Sequence, residues 1–323
     1  MMENDVLKGR GLGLVADIGG TNARFALIDS DGTIKHPWRC MVEEYASLAG
    51  AIEAYLSQAS AERPAQAALA VAAPITGDQV SMTNHPAWSF SIADMRRDLG
   101  LRRLRVVNDF TANALAIPHL DEASRLQIGP GAPTPGAPIG LIGPGSGLGV
   151  SGLVSTPSGP TPVEGEGGHA TMSPTNEIEC AVLDLLRKRY GHVSAERVLS
   201  GPGLVNLYEA LCQLSGGPAR QYTAAQVTDP SIWDADACAK DAVAMFCAML
   251  GTVSGNLALT FGARGGVYIA GGIVPKLGAR FLQSQFRTRF ESKGRFESYL
   301  QKIPTYVITH PTLALLGASA LLE

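Results

Sequence analysis

Apolar positions along this chain gather into short runs, and twice a run enters a glycine turn and leaves it as another strand. The first is Leu14–Ile28, broken at Gly19-Gly20-Thr21-Asn22; the second is Ile139–Val154, broken at Gly143-Pro-Gly-Ser-Gly147. Runs of this length rich in Val, Ile and Leu read as buried strands. The pattern continues with strands over Ile34–Met41, Ala67–Val71 and Leu104–Val107, and helices over Leu48–Gln58 and Thr111–Ile117. The second half repeats the scheme. A return strand lies near Thr161–Val163, helical spacing covers Glu177–Tyr190, Gly203–Leu214 and Ala235–Leu259, and a buried strand spans Val267–Ala270. Thr305–Ile308 and Leu313–Leu322 close the chain as a strand and a helix. Strands alternating with helices predict an α/β design, a mixed sheet covered by helices. The halves resemble each other in order, without residue identity. The Pro/Gly run Gly129–Pro138 can continue no element, so it reads as a loop at or near a domain boundary.

Length and composition narrow the class. At 323 residues the chain can hold two domains. Hydrophobic residues at 46% and charged residues at 17% match a soluble globular protein. A net charge of −3 argues against a broad grip on nucleic acid or anionic lipid. No unbroken apolar run reaches the ~18 residues of a membrane span, and Met1–Arg10 lacks the basic-then-apolar order of an export signal. The cytosol is the expected compartment. The five cysteines, Cys40, Cys180, Cys212, Cys238 and Cys247, are scattered and never spaced as CxxC. They read as reduced thiols, Cys238 and Cys247 as packing residues of a helix, and no metal-ligand spacing is present.

Several places carry candidate chemistry. Asp17 ends the first strand before Gly19, Gly20, Thr21 and Asn22. A carboxylate there can hold water around Mg²⁺, while turn N–H groups and the Thr21 hydroxyl can meet phosphate oxygens. Gly145, Ser146, Gly147 and Gly149 offer the same from the second hairpin, and two such turns read as jaws for phosphates. The other explanation of these glycines is a tight turn that needs φ > 0. Neither loop is a Walker A sequence or a Rossmann GxGxxG unit. Asn108-Asp109 follows an apolar strand, where a carboxylate can take a hydroxyl proton and an amide can fix the substrate, or where the pair caps a helix. Glu164-Gly-Glu166-Gly-Gly-His169 and Glu196 bring donors and acceptors that suit a polyol. Their alternatives are a packed or surface histidine and a capping-box glutamate. Gly271-Gly272, after a strand, either lets a purine lie against the backbone or opens a helix.

These segments together resemble the ATP-dependent bacterial glucokinases of the hexokinase–actin–chaperone superfamily. The resemblance runs nearly end to end. Its motifs are Asp17-Ile-Gly-Gly-Thr-Asn-Ala-Arg24, Met82-Thr-Asn-His85, Asn108-Asp-Phe-Thr-Ala112, Gly145-Ser-Gly-Leu-Gly149, Glu166-Gly-Gly-His169, the Ser194–Gly203 block and Ile269-Ala-Gly-Gly-Ile273. It implies a two-domain actin-like ATPase (ribonuclease H-like) fold with a cleft between domains, residues 1–118 plus 311–323 against 119–310, the last helix returning to the first domain. It implies phosphoryl transfer from ATP to the 6-hydroxyl of glucose, with Asp109 as general base. Asn108 would hold neighbouring hydroxyls, and Glu166, His169 and Glu196 those around the anomeric end. Asp17 would sit near nucleotide-borne Mg²⁺, the two hairpins would hold the ATP phosphates, and a homodimer is the family's usual assembly. Pro144, where the family has Ala, removes one possible N–H donor. Two other readings remain: a kinase for another hexose such as mannose or glucosamine, separable by a sugar panel, and a nucleotide-switched binding protein, which would polymerise without sugar-dependent ADP release.

Overall fold

A computed structural model describes residues 12–59, 63–82 and 85–322. Met1–Arg10, and Thr83 and Asn84 of the Met82–His85 motif, lie outside the described residues. The chain divides into two units: the described residues of Met1–Asp121 with His310–Glu323, and Glu122–Thr309. The Gly129–Pro138 run lies inside the second unit, where it joins two strands.

The first unit is built on strands β1 (Gly13–Ile18), β2 (Asn22–Ile28), β3 (Ile34–Met41) and β4 (Gln66–Val71), with a small hairpin of β5 (Gln79–Val80) and β6 (Phe90–Ser91), and β7 (Arg103–Asn108). The main sheet has the order β3-β2-β1-β4-β7. β1 pairs antiparallel with β2 and β2 with β3, whereas β1, β4 and β7 run parallel. β4 is buried along its whole length, as a parallel strand covered on both faces must be. Ile18 pairs with Val71 and Val71 with Asn108, so the three parallel strands end level.

Helices α1 (Leu48–Ala59), α2 (Ile92–Asp98) and α3 (Asp109–Ala116) belong to this unit. α3 starts two residues before the hydrophobic spacing predicts, because Asn108 caps it: Asn108 Oδ1 accepts the Phe110 N–H at 2.8 Å. Apolar periodicity cannot register a first turn whose leading residue is polar. The C-terminal helix Leu313–Ser319 sets Leu315 and Ala318 among Val15, Ala26 and Ala68, and Ala314 beside Ala70 and Ala112. A Cβ on Gly317 would run into the Ala112 carbonyl, so a missing side chain permits the close approach to α3.

The second unit repeats the plan with β8 (Arg125–Ile128), β9 (Ile139–Pro144), β10 (Leu148–Thr156), β11 (Gly159–Gly165), β12 (Val267–Ile269) and β13 (Thr305–Ile308). Its order is β11-β10-β9-β12-β13-β8. An antiparallel meander again leads into parallel strands, β9, β12 and β13, and β8 adds an antiparallel edge. The repetition of order expected from the sequence is present. Helices α4 (Glu177–Tyr190), α5 (Gly201–Leu214), α6 (Ala224–Val227), α7 (Ala237–Phe261), α8 (Ile273–Leu277), α9 (Ala279–Leu282), α10 (Phe286–Glu291) and α11 (Glu297–Gln301) complete the unit. α7 is long and apolar enough to cross a membrane, with mean hydropathy 1.7 over its best window, yet 72% of that window is buried within the protein. It is the core helix of this unit.

One buried ion pair ties α10 to α4. Arg289 donates to Glu179 at 2.7 and 3.2 Å and to Thr252 Oγ1 at 2.8 Å, while Thr175 N–H and Oγ1–H reach Glu179 at 2.8 and 3.0 Å. Burial alone would raise the Glu179 carboxyl; the Arg289 and Thr175 donors outweigh it and hold the group below its ordinary 4.5. Its contribution to stability is therefore full above about pH 4.5 and lost as acid titrates it through the lower folded value. Arg289→Ala, which strands a buried carboxylate, should cost about 3–5 kcal/mol. Urea unfolding at neutral pH checks this, the midpoint falling with an unchanged slope; an unshifted midpoint would remove the pair from the stability account.

Candidate active site

In the first unit the level ends of β1, β4 and β7 decide which residues share an edge of the sheet. The turn Gly19–Thr21, the segment after Val71 and the start of α3 all leave from that edge. Asn108 is fixed at both amide atoms: Oδ1 accepts from Phe110 N–H, and Nδ2 donates to the Ala73 carbonyl at 3.3 Å. The cap reading of Asn108 is thus correct, and it leaves Asp109 as the first helical residue. Asp109 is half-buried, and its Oδ1 accepts the same Phe110 N–H at 2.9 Å, which orients the carboxylate at the helix N-terminus.

Asp17 faces Arg24 directly across the β1–β2 hairpin, with Arg24 Nη1 to Asp17 Oδ2 at 2.8 Å. Burial pushes the Asp17 carboxyl upward, and the Arg24 charge and hydrogen bond oppose that shift. Arg39 on β3 donates to Asn22 Oδ1 at 2.9 and 3.2 Å. Sequence reasoning gave these two arginines no role. Arg24 was legible as a partner, because four residues, Gly19–Asn22, separate Ile18 from its opposite Ala23, which sets Asp17 opposite Arg24.

The second unit gathers its four sequence segments at one end of its own sheet. The tip Gly145–Gly147 joins β9 to β10, closed by Gly145 N–H to the Gly147 carbonyl at 2.8 Å. Gly145 also accepts from Gly201 N–H at 2.8 Å, which ties the tip to the start of α5. Glu196 Oε2 accepts the Leu148 N–H at 2.9 Å. Glu196 is therefore bonded to the hairpin itself and is no capping-box partner. β11 pairs with β10 up to Gly165, so the Glu166–His169 turn emerges beside the same hairpin, and Ala195 N–H to the Ala170 carbonyl at 2.9 Å joins it to the Glu196 turn. Glu166 and His169 are exposed and Glu196 is half-buried. Ala270 N–H meets the Ile142 carbonyl at 2.8 Å, setting Gly271 against Pro144.

The glycines of the two tips are not there for positive φ. Gly19, Gly20, Gly145, Gly147 and Gly149 all lie outside the left-handed region, which corrects that explanation of the hairpins. Gly271 does need it, at φ 84°, and a Cβ there would meet the Pro144 carbonyl. Gly272 then stands at the N-cap of α8, so the helix-opening reading of this pair holds.

The donor set around Asp17, one carboxylate with the Thr21 hydroxyl nearby in sequence, is too sparse for a closed metal cage. It fits a Mg²⁺ that keeps most of its waters and arrives on a nucleotide.

The glucokinase family model matches residues 14–323. A glucokinase of Aromatoleum aromaticum is 50% identical over 312 residues, 96% of this chain and 94% of that protein. A glucokinase of Paramagnetospirillum magneticum is 50% identical over 310 residues, 95% of this chain and 96% of its own length. The crystal structure of a glucokinase from an Antarctic psychrotroph superposes with TM-score 0.89 at 37% identity, covering 96% of this chain and 98% of that one.

Glu196→Ala removes the acceptor of the Leu148 amide, so hydrogen exchange at that amide should quicken roughly tenfold, about the worth of one hydrogen bond. Glu196→Gln, which keeps an acceptor, should change it little. Unchanged exchange in the alanine variant would detach Glu196 from the hairpin.

Proposed function

The chain belongs to the glucokinase family and is a hexose kinase that phosphorylates glucose, and from that premise we propose that ATP is the donor and Asp109 the general base. The observation that carries the assignment is the placement of Asp109 in the first turn of α3, immediately past a parallel strand and oriented by Phe110 N–H. As the sugar O6 attacks the γ-phosphorus, Asp109 takes the hydroxyl proton, the bond from the γ-phosphorus to the bridging oxygen breaks, and ADP leaves with glucose 6-phosphate formed.

Asn108, already held on two sides, presents what remains of its amide capacity to neighbouring hydroxyls. Glu166 and His169 bind hydroxyls near the anomeric carbon. Glu196 does so with one carboxylate oxygen while the other keeps Leu148 N–H, so sugar recognition and the second hairpin share one side chain. Asp17, which pairs with Arg24, would hold waters of a nucleotide-borne Mg²⁺. On the family resemblance, Gly19, Gly20, Thr21 and Asn22, and Gly145, Ser146 and Gly147, would take phosphate oxygens. Gly271 packs against the Pro144 carbonyl and turns the chain, and Gly272, with open space beside it, leaves the backbone there accessible to adenine. Mg²⁺, when bound, neutralises developing charge on the phosphates. On the family resemblance the enzyme works in the cytosol as a homodimer; light scattering at twice the chain mass checks the assembly.

Asp109→Asn should keep the unfolding midpoint and lower kcat roughly 10²–10⁴-fold with a modest change in KM for glucose. A coupled ADP assay measures it, and near-normal turnover by the folded variant would remove Asp109 from the mechanism. In the same assay glucose should exceed mannose and glucosamine in kcat/KM; a competing hexose ahead of glucose would overturn the substrate assignment.

A further inference from the structure

Away from the candidate active site, the second unit brings Cys212 to Asp236 and Cys238, a neighbouring pair that follows it by 24 and 26 positions. Cys212 lies in the last turn of α5, Asp236 is the residue before α7, and Cys238 is the second residue of α7. Their ligand atoms all lie within 4.8 Å of one another. We propose that Cys212, Asp236 and Cys238 form a binding site for a thiophilic divalent cation of the zinc class.

The geometry suits that ion. Tetrahedral zinc with bonds of about 2.3 Å to sulfur and about 2.0–2.2 Å to oxygen sets its donors roughly 3.5–3.8 Å apart. Closing from the present spacing needs small side-chain rotations on two fixed helices. Two sulfurs and one carboxylate select a borderline-soft ion over Mg²⁺ or Ca²⁺, which take oxygen alone.

The surroundings also fit. Asp236 stands at the N-cap of a 25-residue helix, where an aspartate normally accepts a backbone N–H, yet its side chain makes no capping bond. Its Oδ2 instead accepts from the Tyr208 hydroxyl at 2.8 Å, and that hydroxyl accepts Arg220 N–H at 3.1 Å. A carboxylate held by an outer hydrogen bond is how metal ligands are commonly oriented. Cys212 is buried while Asp236 and Cys238 are partly exposed, so an ion can enter from the solvent side and leave one position for water. A bound ion would pin the segment 215–236 between the end of α5 and the start of α7, and stabilise the fold in proportion to its occupancy. The site shares no residue with the proposed glucose and nucleotide contacts.

The test uses the full, reduced chain and cobalt(II), whose bond to thiolate gives a charge-transfer absorption. One equivalent should bind with that absorption, zinc(II) should displace it, and zinc should raise the melting temperature. Cys238→Ser and Asp236→Asn, both at partly exposed positions, should each weaken uptake at least about tenfold. Tyr208→Phe should weaken it by roughly 10–100-fold, the usual cost of losing an outer-shell partner. Cys180→Ser, at an exposed cysteine elsewhere, should leave uptake unchanged. Absence of charge-transfer absorption in the reduced protein overturns the site, as does absorption that persists unchanged in Cys238→Ser. A Cys212–Cys238 disulfide formed with peroxide in a protein that takes up no cobalt would make the pair a redox couple and equally reject the proposal.

Discussion

In-register pairing of parallel strands is the constraint on which the rest depends. In the first unit Ile18, Val71 and Asn108 stand side by side across β1, β4 and β7; in the second, Ile142, Ile269 and Val307 do so across β9, β12 and β13. Parallel strands need crossover connections, so whatever follows each strand emerges at the same edge. The chain spends its polar and glycine residues there. One edge carries Asp17, the Gly19–Thr21 turn and Asp109, and the other carries the Gly145–Gly147 tip and Gly271. Neither set is contiguous in sequence, and neither would be a set if a strand slipped in register.

Several of these residues hold the fold with some atoms and, on the proposed function, would meet substrate or nucleotide with others. Asn108 closes the first turn of α3 and anchors to the Ala73 carbonyl, which leaves Asp109 in a defined orientation. Glu196 holds the Leu148 amide of the hairpin while belonging to the turn that Ala195 bonds to Ala170. Asp17 is balanced between burial, which disfavours its charge, and Arg24, which favours it. A group without a structural tether would have to be ordered by the substrate at a cost in binding energy.

Much of the architecture was legible in the chain. Continuous apolar runs gave the central strands, because a strand buried on both faces has no polar alternation to hide it. The ends of elements were harder. α5 begins at Gly201 rather than Gly203, because Ser200 caps it and Pro202 sits in its first turn, and neither adds to apolar periodicity. α7 runs Ala237–Phe261, long enough to suggest a membrane, and only its burial shows which solvent it has. The hairpin glycines stood out as phosphate-facing turns, and their backbone angles remove the alternative explanation that they are there for positive φ.

By itself the sequence determined residue types and local order: two glycine hairpins, a carboxylate after a strand, and the motifs of a sugar kinase. Tertiary structure alone decided which atoms meet. Arg24 on Asp17, Glu196 on Leu148, and Cys212 beside Cys238 join residues 7, 48 and 26 positions apart. The first could be counted from a hairpin register. The others depend on how helices pack on a sheet, and packing is set by the whole core at once, so no local pattern announces it.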